Sequence, residues 1–153
     1  ARDHVLADIQ PLFIRADMEV AEELIGTERL STSYNWKTML EKGIHVSGSS
    51  DAPVESFDPM LAIHCAVTST NLQGEPEGGW MPDQRLTVQE AVELYTTGSA
   101  YTAYEEEYKG KLKEGYLADF IVLSDDIFSI DEKEILSVKV EKTFLGGEEV
   151  YSC

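Results

Sequence analysis

The first two thirds of the chain alternate between short apolar runs and amphipathic stretches. This pattern predicts strands over residues 5–10 and 44–47 and helices over residues 18–25 and 35–42. Pro11 ends the first strand, and each of these helices is followed directly by a glycine, which is typical of a helix end. Strand, helix, strand and helix in this order predict βα units and a parallel sheet.

Further helices are predicted in the middle of the chain. One covers residues 59–69, with Asp58 as its N-cap and a proline at the first helical position. The next begins with a capping box, Thr87-Val88-Gln89-Glu90, and its apolar residues recur at helical spacing as far as Tyr95. Gly98 is expected to end or bend that helix, and a second helical stretch runs through Tyr101 and Tyr104.

The last third changes to a β pattern. Residues 117–123 predict a strand rich in β-branched and aromatic residues, and residues 138–145 and 148–151 flank Gly146-Gly147. Two glycines between such runs are typical of a β-hairpin whose turn needs positive φ angles. We therefore place a boundary near residue 110, between βα units and a small all-β segment.

The chain has 153 residues and a net charge of −17, from 29 acidic and 12 basic residues. A field of this sign repels phosphate backbones and anionic lipid, which argues against nucleic-acid and membrane-surface roles. The acidity is explained by solubility, and the open alternative is an acidic patch that recruits cations or a basic partner.

The cysteines and the N-terminal residues are informative about the cellular location of the protein. Cys65 and Cys153 are far apart and form no CxxC pair, so no disulfide framework is expected and a reducing cytoplasm is the simplest location. Cys65 lies in an apolar run and is predicted to be a core residue. The first residues lack the basic start and apolar stretch of a signal peptide, and the abrupt start fits a chain cut from something longer.

Asp51 is the strongest chemical candidate. The predicted strand over residues 44–47 continues into the small residues Gly48, Ser49 and Ser50 and then this one carboxylate. In a β/α barrel, chemistry takes place at the C-terminal ends of the strands, which is where Asp51 would lie. From the spacing alone the alternative remains open that Ser50 to Pro53 is a turn whose aspartate bonds to its own backbone.

Three stretches, in order along the chain, resemble the C-terminal region of the amidohydrolase superfamily. They are residues 43–55 around Ser50-Asp51-Ala52-Pro53-Val54, residues 80–100, and residues 109–123 followed by the Gly146-Gly147 hairpin. The similarity is to the branch of amidohydrolase family 3 that includes N-substituted formamide deformylase-like enzymes. It implies an α/β fold made of the last βα units of a (β/α)8 TIM-type barrel (residues 1–110), followed by strands of a small β-sandwich (residues 111–153).

The resemblance also implies a role for Asp51. The residue matches the aspartate at the end of the eighth barrel strand, which in the family binds a divalent metal, usually Zn2+. That carboxylate takes a proton from the attacking water and passes it to the leaving amine, which suits an aspartate beside a metal. Many members have glycine two positions before the aspartate, where this chain has Ser49.

Most metal ligands of the family are histidines that this chain lacks. It has no His-x-His, and none of His4, His45 and His64 is expected to be a metal ligand. A zinc site needs about three protein ligands, so we expect the remaining ligands upstream, and we expect this segment alone to bind little zinc and to be inactive.

Structural roles are expected for several other residues. Asp119 is expected to tie a strand to a turn, Trp80 to anchor its loop or else cover a substrate, and Glu55 to lie on the surface or else to position the Asp51 loop. Packing roles are predicted for Tyr95, Tyr101, Tyr104 and Tyr108, and residues 105–107 are predicted to be a solvated run of glutamates.

Two functions are consistent with the sequence. The first is the C-terminal part of a metal-dependent hydrolase acting on a small amide-like substrate, with Asp51 as metal ligand and proton shuttle. The second is a non-catalytic remnant that binds a partner or self-associates, because two barrel units alone would expose sheet edges.

Overall fold

The structure, a computed structural model, describes residues 5–153. Strands β1 (Ala7–Ile9) and β2 (Val46–Gly48) pair in parallel, with Ala7 opposite Val46 and Ile9 opposite Gly48. The predicted parallel pair is confirmed, and each strand is shorter than predicted. The chain between them forms α1 (Ile14–Asp17), α2 (Ala21–Ile25), α3 (Thr27–Leu30) and α4 (Trp36–Glu41).

The middle of the chain is helical, as predicted. Its helices are α5 (Pro59–Thr68), α6 (Val88–Glu93) and α7 (Ser99–Thr102). Both predicted N-caps are confirmed: the Asp58 side chain accepts a hydrogen bond from the Met60 amide, and Thr87 and Glu90 form a reciprocal capping box. These caps satisfy amide groups that the first turn of a helix leaves free. Short 3-10 helices cover Pro11–Phe13, Pro82–Gln84 and Glu132–Ser137.

The helix that begins at Val88 continues through Gly98, whose φ and ψ of −64° and −49° are helical, so the predicted end at this glycine is wrong and the bend stays a prediction. A π-helical turn, Leu94–Gly98, joins α6 to α7 and lies directly against β2. A Cβ atom at position 98 would lie 2.3 Å from the Val46 carbonyl oxygen, so only glycine permits this approach. The absence of a side chain at position 98 therefore lets the helix lie close against the strand that leads to Asp51.

Replacing Gly98 by alanine is expected to destabilise the chain by about 1–3 kcal/mol. Alanine is the better helix former by about 1 kcal/mol, but here its methyl group would push α7 away from β2. The free energy of unfolding in urea measures the effect. Gln89→Ala, at an exposed position of α6, serves as control and should change stability by less than about 0.5 kcal/mol. Equal stabilities of both variants would contradict the close approach.

One hydrophobic core joins the strands to the helices. Its fully buried side chains include Leu12, Ile14, Cys65, Val67 and Leu94. The predicted core position of Cys65 is confirmed, and burial raises the pKa of its thiol to about 12. Among residues 5–153, no helix combines the length and the apolar character needed to cross a membrane.

The C-terminal segment is a three-stranded antiparallel sheet. Strands β3 (Phe120–Leu123), β4 (Val140–Leu145) and β5 (Glu148–Ser152) pair in chain order. The predicted hairpin is confirmed, since both turn glycines have positive φ angles of 58° and 84°. Asp119 accepts a hydrogen bond from the Gly146 amide at 2.7 Å, which confirms that it ties the start of β3 to this turn.

The C-terminal segment shares the core of the preceding helices. The 3-10 helix Glu132–Ser137 packs against α5, and Ile127, Ile135 and Val138 are buried in the same cluster as the helices. Arg85 strengthens this contact because its Nε donates to the Val67 carbonyl at 2.7 Å while its guanidinium pairs with Glu132. The division at residue 110 remains a prediction.

The packing predicted for the late tyrosines is wrong in two cases. Tyr101 stacks on His45, with ring centroids 3.6 Å apart, but Tyr104 is 81% exposed and Tyr108 is 42% exposed. The reason is that α7 ends at Thr102, so helical spacing no longer applies beyond it. The prediction that residues 105–107 are solvated is correct only for Glu107, because Glu105 and Glu106 are half-buried.

Candidate active site

The two parallel strands end at the same edge of the sheet, and their ends are tied together. The Ser49 amide donates to the Ile9 carbonyl at 2.8 Å, which extends the pairing one residue beyond β2. Gln10 Nε2 donates to the Ser49 hydroxyl, also at 2.8 Å. The segment that carries Asp51 therefore leaves the sheet from a position fixed by both backbone and side-chain bonds.

One face of the strand pair is polar and the other packs on the helices. Side chains alternate between the faces, so Ile9 and Val46 point into the core while Asp8 and Ser47 point the other way. The Ser47 hydroxyl donates to Asp8 Oδ1 at 2.9 Å, next to the Gln10–Ser49 bond. Two cross-strand polar pairs thus line the face that leads to the strand ends.

Asp51 lies three residues beyond β2, in an exposed turn. Its φ angle of 51° is in the left-handed region, which aspartate tolerates better than most residues, and its carbonyl accepts from the Val54 amide at 2.9 Å. Across residues 5–153 its carboxylate has no hydrogen-bond or ion-pair partner. The alternative that Ser50 to Pro53 form a turn is therefore correct for the backbone. The hydrogen bond that it expected from the aspartate side chain to its own backbone is absent among residues 5–153.

Glu55 fastens the far end of this turn. Its carboxylate accepts from Arg15 Nε at 3.1 and 3.2 Å and from Nη2 at 2.8 Å, which is a bidentate pair. Only 9% of the Glu55 side chain is exposed, so the preferred prediction of a surface role is wrong and the positioning role is supported. The hydrogen bond to Glu55 raises the pKa of Arg15.

His45 and His64 lie in elements other than the turn that carries Asp51. His45 precedes β2 at the opposite end of the strand, and His64 is 2% exposed within α5, where burial lowers its pKa. His4 lies outside the described residues. Within the described part of the chain, no three histidine, cysteine or carboxylate side chains are placed to hold a metal ion together.

Trp80 anchors its loop. Its ring meets Tyr34 edge to face at 5.0 Å, and its amide donates to the Ser69 carbonyl at 2.8 Å. The side chain packs against the core cluster, which favours the anchoring role over a substrate cover.

Sequence reasoning missed Asp8, Gln10 and Arg15. A signal for Gln10 was present, because it follows β1 at the position that faces Ser49 when the two strands pair in parallel. No comparable signal existed for Arg15, whose partner is 40 positions away and follows no strand register.

The comparisons with known proteins agree on one family. The model described as "Amidohydrolase family" matches residues 1–151. YtcJ of Bacillus subtilis strain 168 is 40% identical over 151 residues, which cover 99% of this chain and 28% of YtcJ. The N-substituted formamide deformylase of Arthrobacter pascens is 28% identical over 111 residues, 72% of this chain and 20% of that enzyme.

A solved structure extends this agreement to the fold. The crystal structure of an uncharacterized metal-dependent hydrolase from Pyrococcus horikoshii OT3 matches with a TM-score of 0.73 and 32% identity. The match covers 84% of this chain and 26% of that one.

The tied parallel strand ends and the free carboxylate belong to a mixed α/β protein with a hydrolase fold. The chain is a member of the amidohydrolase family, which confirms the prediction made from the three stretches. It spans about a quarter of the length of the curated relatives that it matches.

Proposed function

We propose that this chain is the C-terminal part of a metal-dependent hydrolase of C–N bonds and is inactive by itself. It would supply the last βα units of a (β/α)8 barrel, over residues 1–110, and strands of a β-sandwich, over residues 111–153. The observation that carries the proposal is the free carboxylate of Asp51 just beyond two parallel strand ends. Catalytic groups of β/α barrels occupy that edge.

The Asp51 carboxylate is suited to bind a metal ion, both by its chemistry and because it is not engaged in another interaction within residues 5–153. A carboxylate with no partner among residues 5–153 can bind a divalent cation without breaking an existing bond. One carboxylate does not complete a zinc site, so the other ligands would come from outside residues 5–153. A Zn2+ ion held there would lower the pKa of the attacking water toward neutrality.

Asp51 would also move the proton in the reaction. Its carboxylate accepts a proton from water and donates it to the amine nitrogen as the C–N bond breaks. Gln10, through Ser49, and Arg15, through Glu55, hold the two ends of the segment that carries it. They would act as positioning residues, because a displacement of about 1 Å in a reacting group costs roughly a hundredfold in rate.

The proposal is tested by assaying the intact hydrolase for amine release from a panel of N-substituted amides. We expect turnover of at least one amide by the intact protein and none by residues 1–153 alone. Esters of the same acids serve as the comparison. Turnover of esters with no release of amine from any amide would contradict a C–N hydrolase.

A further inference from the structure

Gly48, the last residue of β2, lies directly against the phenol ring of Tyr95. A Cβ atom at position 48 would lie 2.6, 2.8 and 3.0 Å from the Cζ, Cε2 and Cε1 atoms of that ring. Side chains alternate along a strand, so position 48 faces the helices as Val46 does, while Ser47 faces the other way. The end of the tyrosine ring therefore occupies the place that a side chain at residue 48 would take.

Tyr95 belongs to the π-helical turn Leu94–Gly98, which packs on β2. The two surfaces are complementary in size, because Gly98 leaves room for the Val46 carbonyl and Gly48 leaves room for the Tyr95 ring. π-helical turns are rare and frequently occur at functional sites. In this protein the turn places an aromatic ring beneath the end of the strand from which the chain continues to Asp51.

The ring of Tyr95, and not its hydroxyl, makes this contact. The hydroxyl oxygen is buried and has no hydrogen-bond partner among residues 5–153. Burial, and after it the negative charge of Asp8, raises the pKa of Tyr95, so the hydroxyl stays protonated and neutral near pH 7. A buried hydroxyl without a partner costs free energy. Phenylalanine at position 95 would therefore preserve the contact with Gly48.

The segment that leads from β2 to Asp51 is held from three directions. The Ser49 amide donates to the Ile9 carbonyl of the neighbouring strand, and the Ser49 hydroxyl accepts from Gln10 on the polar face. On the helix side the ring of Tyr95 lies against Gly48. Protein interiors are closely packed, so removal of the ring would leave a space beneath the strand end into which the segment can shift.

We propose that Tyr95 is a positioning residue, whose ring holds the end of β2 so that Asp51 meets the substrate at the correct distance. The inference rests on the proposed function for its catalytic consequence. A shift of about 1 Å in a reacting group costs roughly a hundredfold in rate. Because Tyr95 lies on the helix side of the strand, the loss is expected in kcat, with KM within about threefold of wild type.

The kinetic test uses the intact hydrolase and an amide that it turns over. We expect Tyr95→Leu to lower kcat roughly a hundredfold, because leucine does not reach Gly48, and Tyr95→Phe to keep kcat within about threefold. Tyr101→Leu is the matched control, since the Tyr101 ring stacks on His45 at the other end of the same strand. This control should leave kcat unchanged. Circular dichroism verifies that each variant folds.

Gly48→Ala tests the same contact from the strand. The backbone at Gly48 is not in the left-handed region, so the obstacle to a methyl group there is the ring of Tyr95. We expect this variant to lower kcat by tenfold or more on the order-of-magnitude scale of a displaced reacting group. If both residues act through one contact, the double variant Gly48→Ala/Tyr95→Leu loses about as much kcat as the worse single variant, rather than the product of the two losses.

Hydrogen exchange measures the position of the segment without any turnover. The Ser49 amide donates to the Ile9 carbonyl and the Val54 amide to the Asp51 carbonyl, so exchange of residues 49–54 reports on this segment. It is followed by mass spectrometry of the intact protein. We expect Tyr95→Leu to accelerate this exchange roughly tenfold, and Tyr95→Phe and Tyr101→Leu to leave it near the wild-type rate.

The outcomes separate the inference from the proposed function. Unchanged exchange in Tyr95→Leu would overturn the inference, as would equal losses of kcat in the phenylalanine and leucine variants. Faster exchange with an unaltered kcat in an active enzyme would also overturn it, because Tyr95 would then be a packing residue alone. If the wild type hydrolyses no amide, faster exchange in Tyr95→Leu but not in Tyr95→Phe supports the holding contact, and the proposed function alone fails.

Discussion

The intact hydrolase is expected to lose turnover by roughly a thousandfold or more when Asp51 is replaced by asparagine. Asparagine keeps the size of the side chain and tolerates the left-handed backbone that residue 51 adopts, so the turn should persist. It cannot accept a proton from water, and its neutral oxygen is a weaker ligand for a divalent cation. The measurement is the initial rate of amine release at saturating substrate.

Asp83→Asn is the matched control for this experiment. Asp83 is also exposed, but it lies in the 3-10 helix Pro82–Gln84, which packs against α4. The control should retain the wild-type rate. A rate for Asp51→Asn within tenfold of wild type would exclude residue 51 as the proton carrier, and with it the proposed mechanism.

Removal of divalent metal from the intact hydrolase is expected to have an effect of similar size. Dialysis against a chelator should lower the rate by roughly a thousandfold or more, because water at its ordinary pKa is a poor nucleophile at neutral pH. Addition of stoichiometric Zn2+ should restore activity. Metal content, measured by elemental analysis before and after dialysis, relates the lost rate to the lost metal.

Zinc binding to the isolated chain of residues 1–153 is a second test of the proposed metal site. We expect zinc to bind it weakly, because one carboxylate cannot hold the ion alone. Full activity of the chelated intact enzyme would contradict a metal-dependent reaction. Tight stoichiometric zinc on residues 1–153 would show that the chain contains ligands other than Asp51.

Local signals were sufficient where a short segment determines its own structure. The caps at Asp58 and Thr87 and the turn at Gly146 were predicted correctly, because each depends on groups within a few residues. The prediction failed where a local period was extended too far. Tyr104 follows the helical spacing but lies beyond the end of α7, with a φ angle of 60°.

The candidate site was only partly predictable, because its contacts join residues that are far apart in the sequence. The position of Asp51 just beyond a parallel strand was predictable, because a strand followed by small residues indicates where the chain leaves the sheet. Its role as metal ligand and proton carrier came from the family resemblance and stays a prediction. The bonds that fix its segment, Arg15 to Glu55 and Gln10 to Ser49, join residues about 40 positions apart and require the fold. The cytoplasmic location and self-association through sheet edges stay predictions, as does the set of upstream ligands.

The packing of the 3-10 helix Glu132–Ser137 on α5 limits how this segment can be exchanged with that of a relative. Ile135 is fully buried, and Arg85 spans the junction to Val67 and Glu132. A chimera joined at residue 110 would therefore place the 3-10 helix of one protein against the α5 of another. The side chains at that contact would then come from two different sequences and would pack less well. If α5 and the 3-10 helix are exchanged together, their packing is preserved.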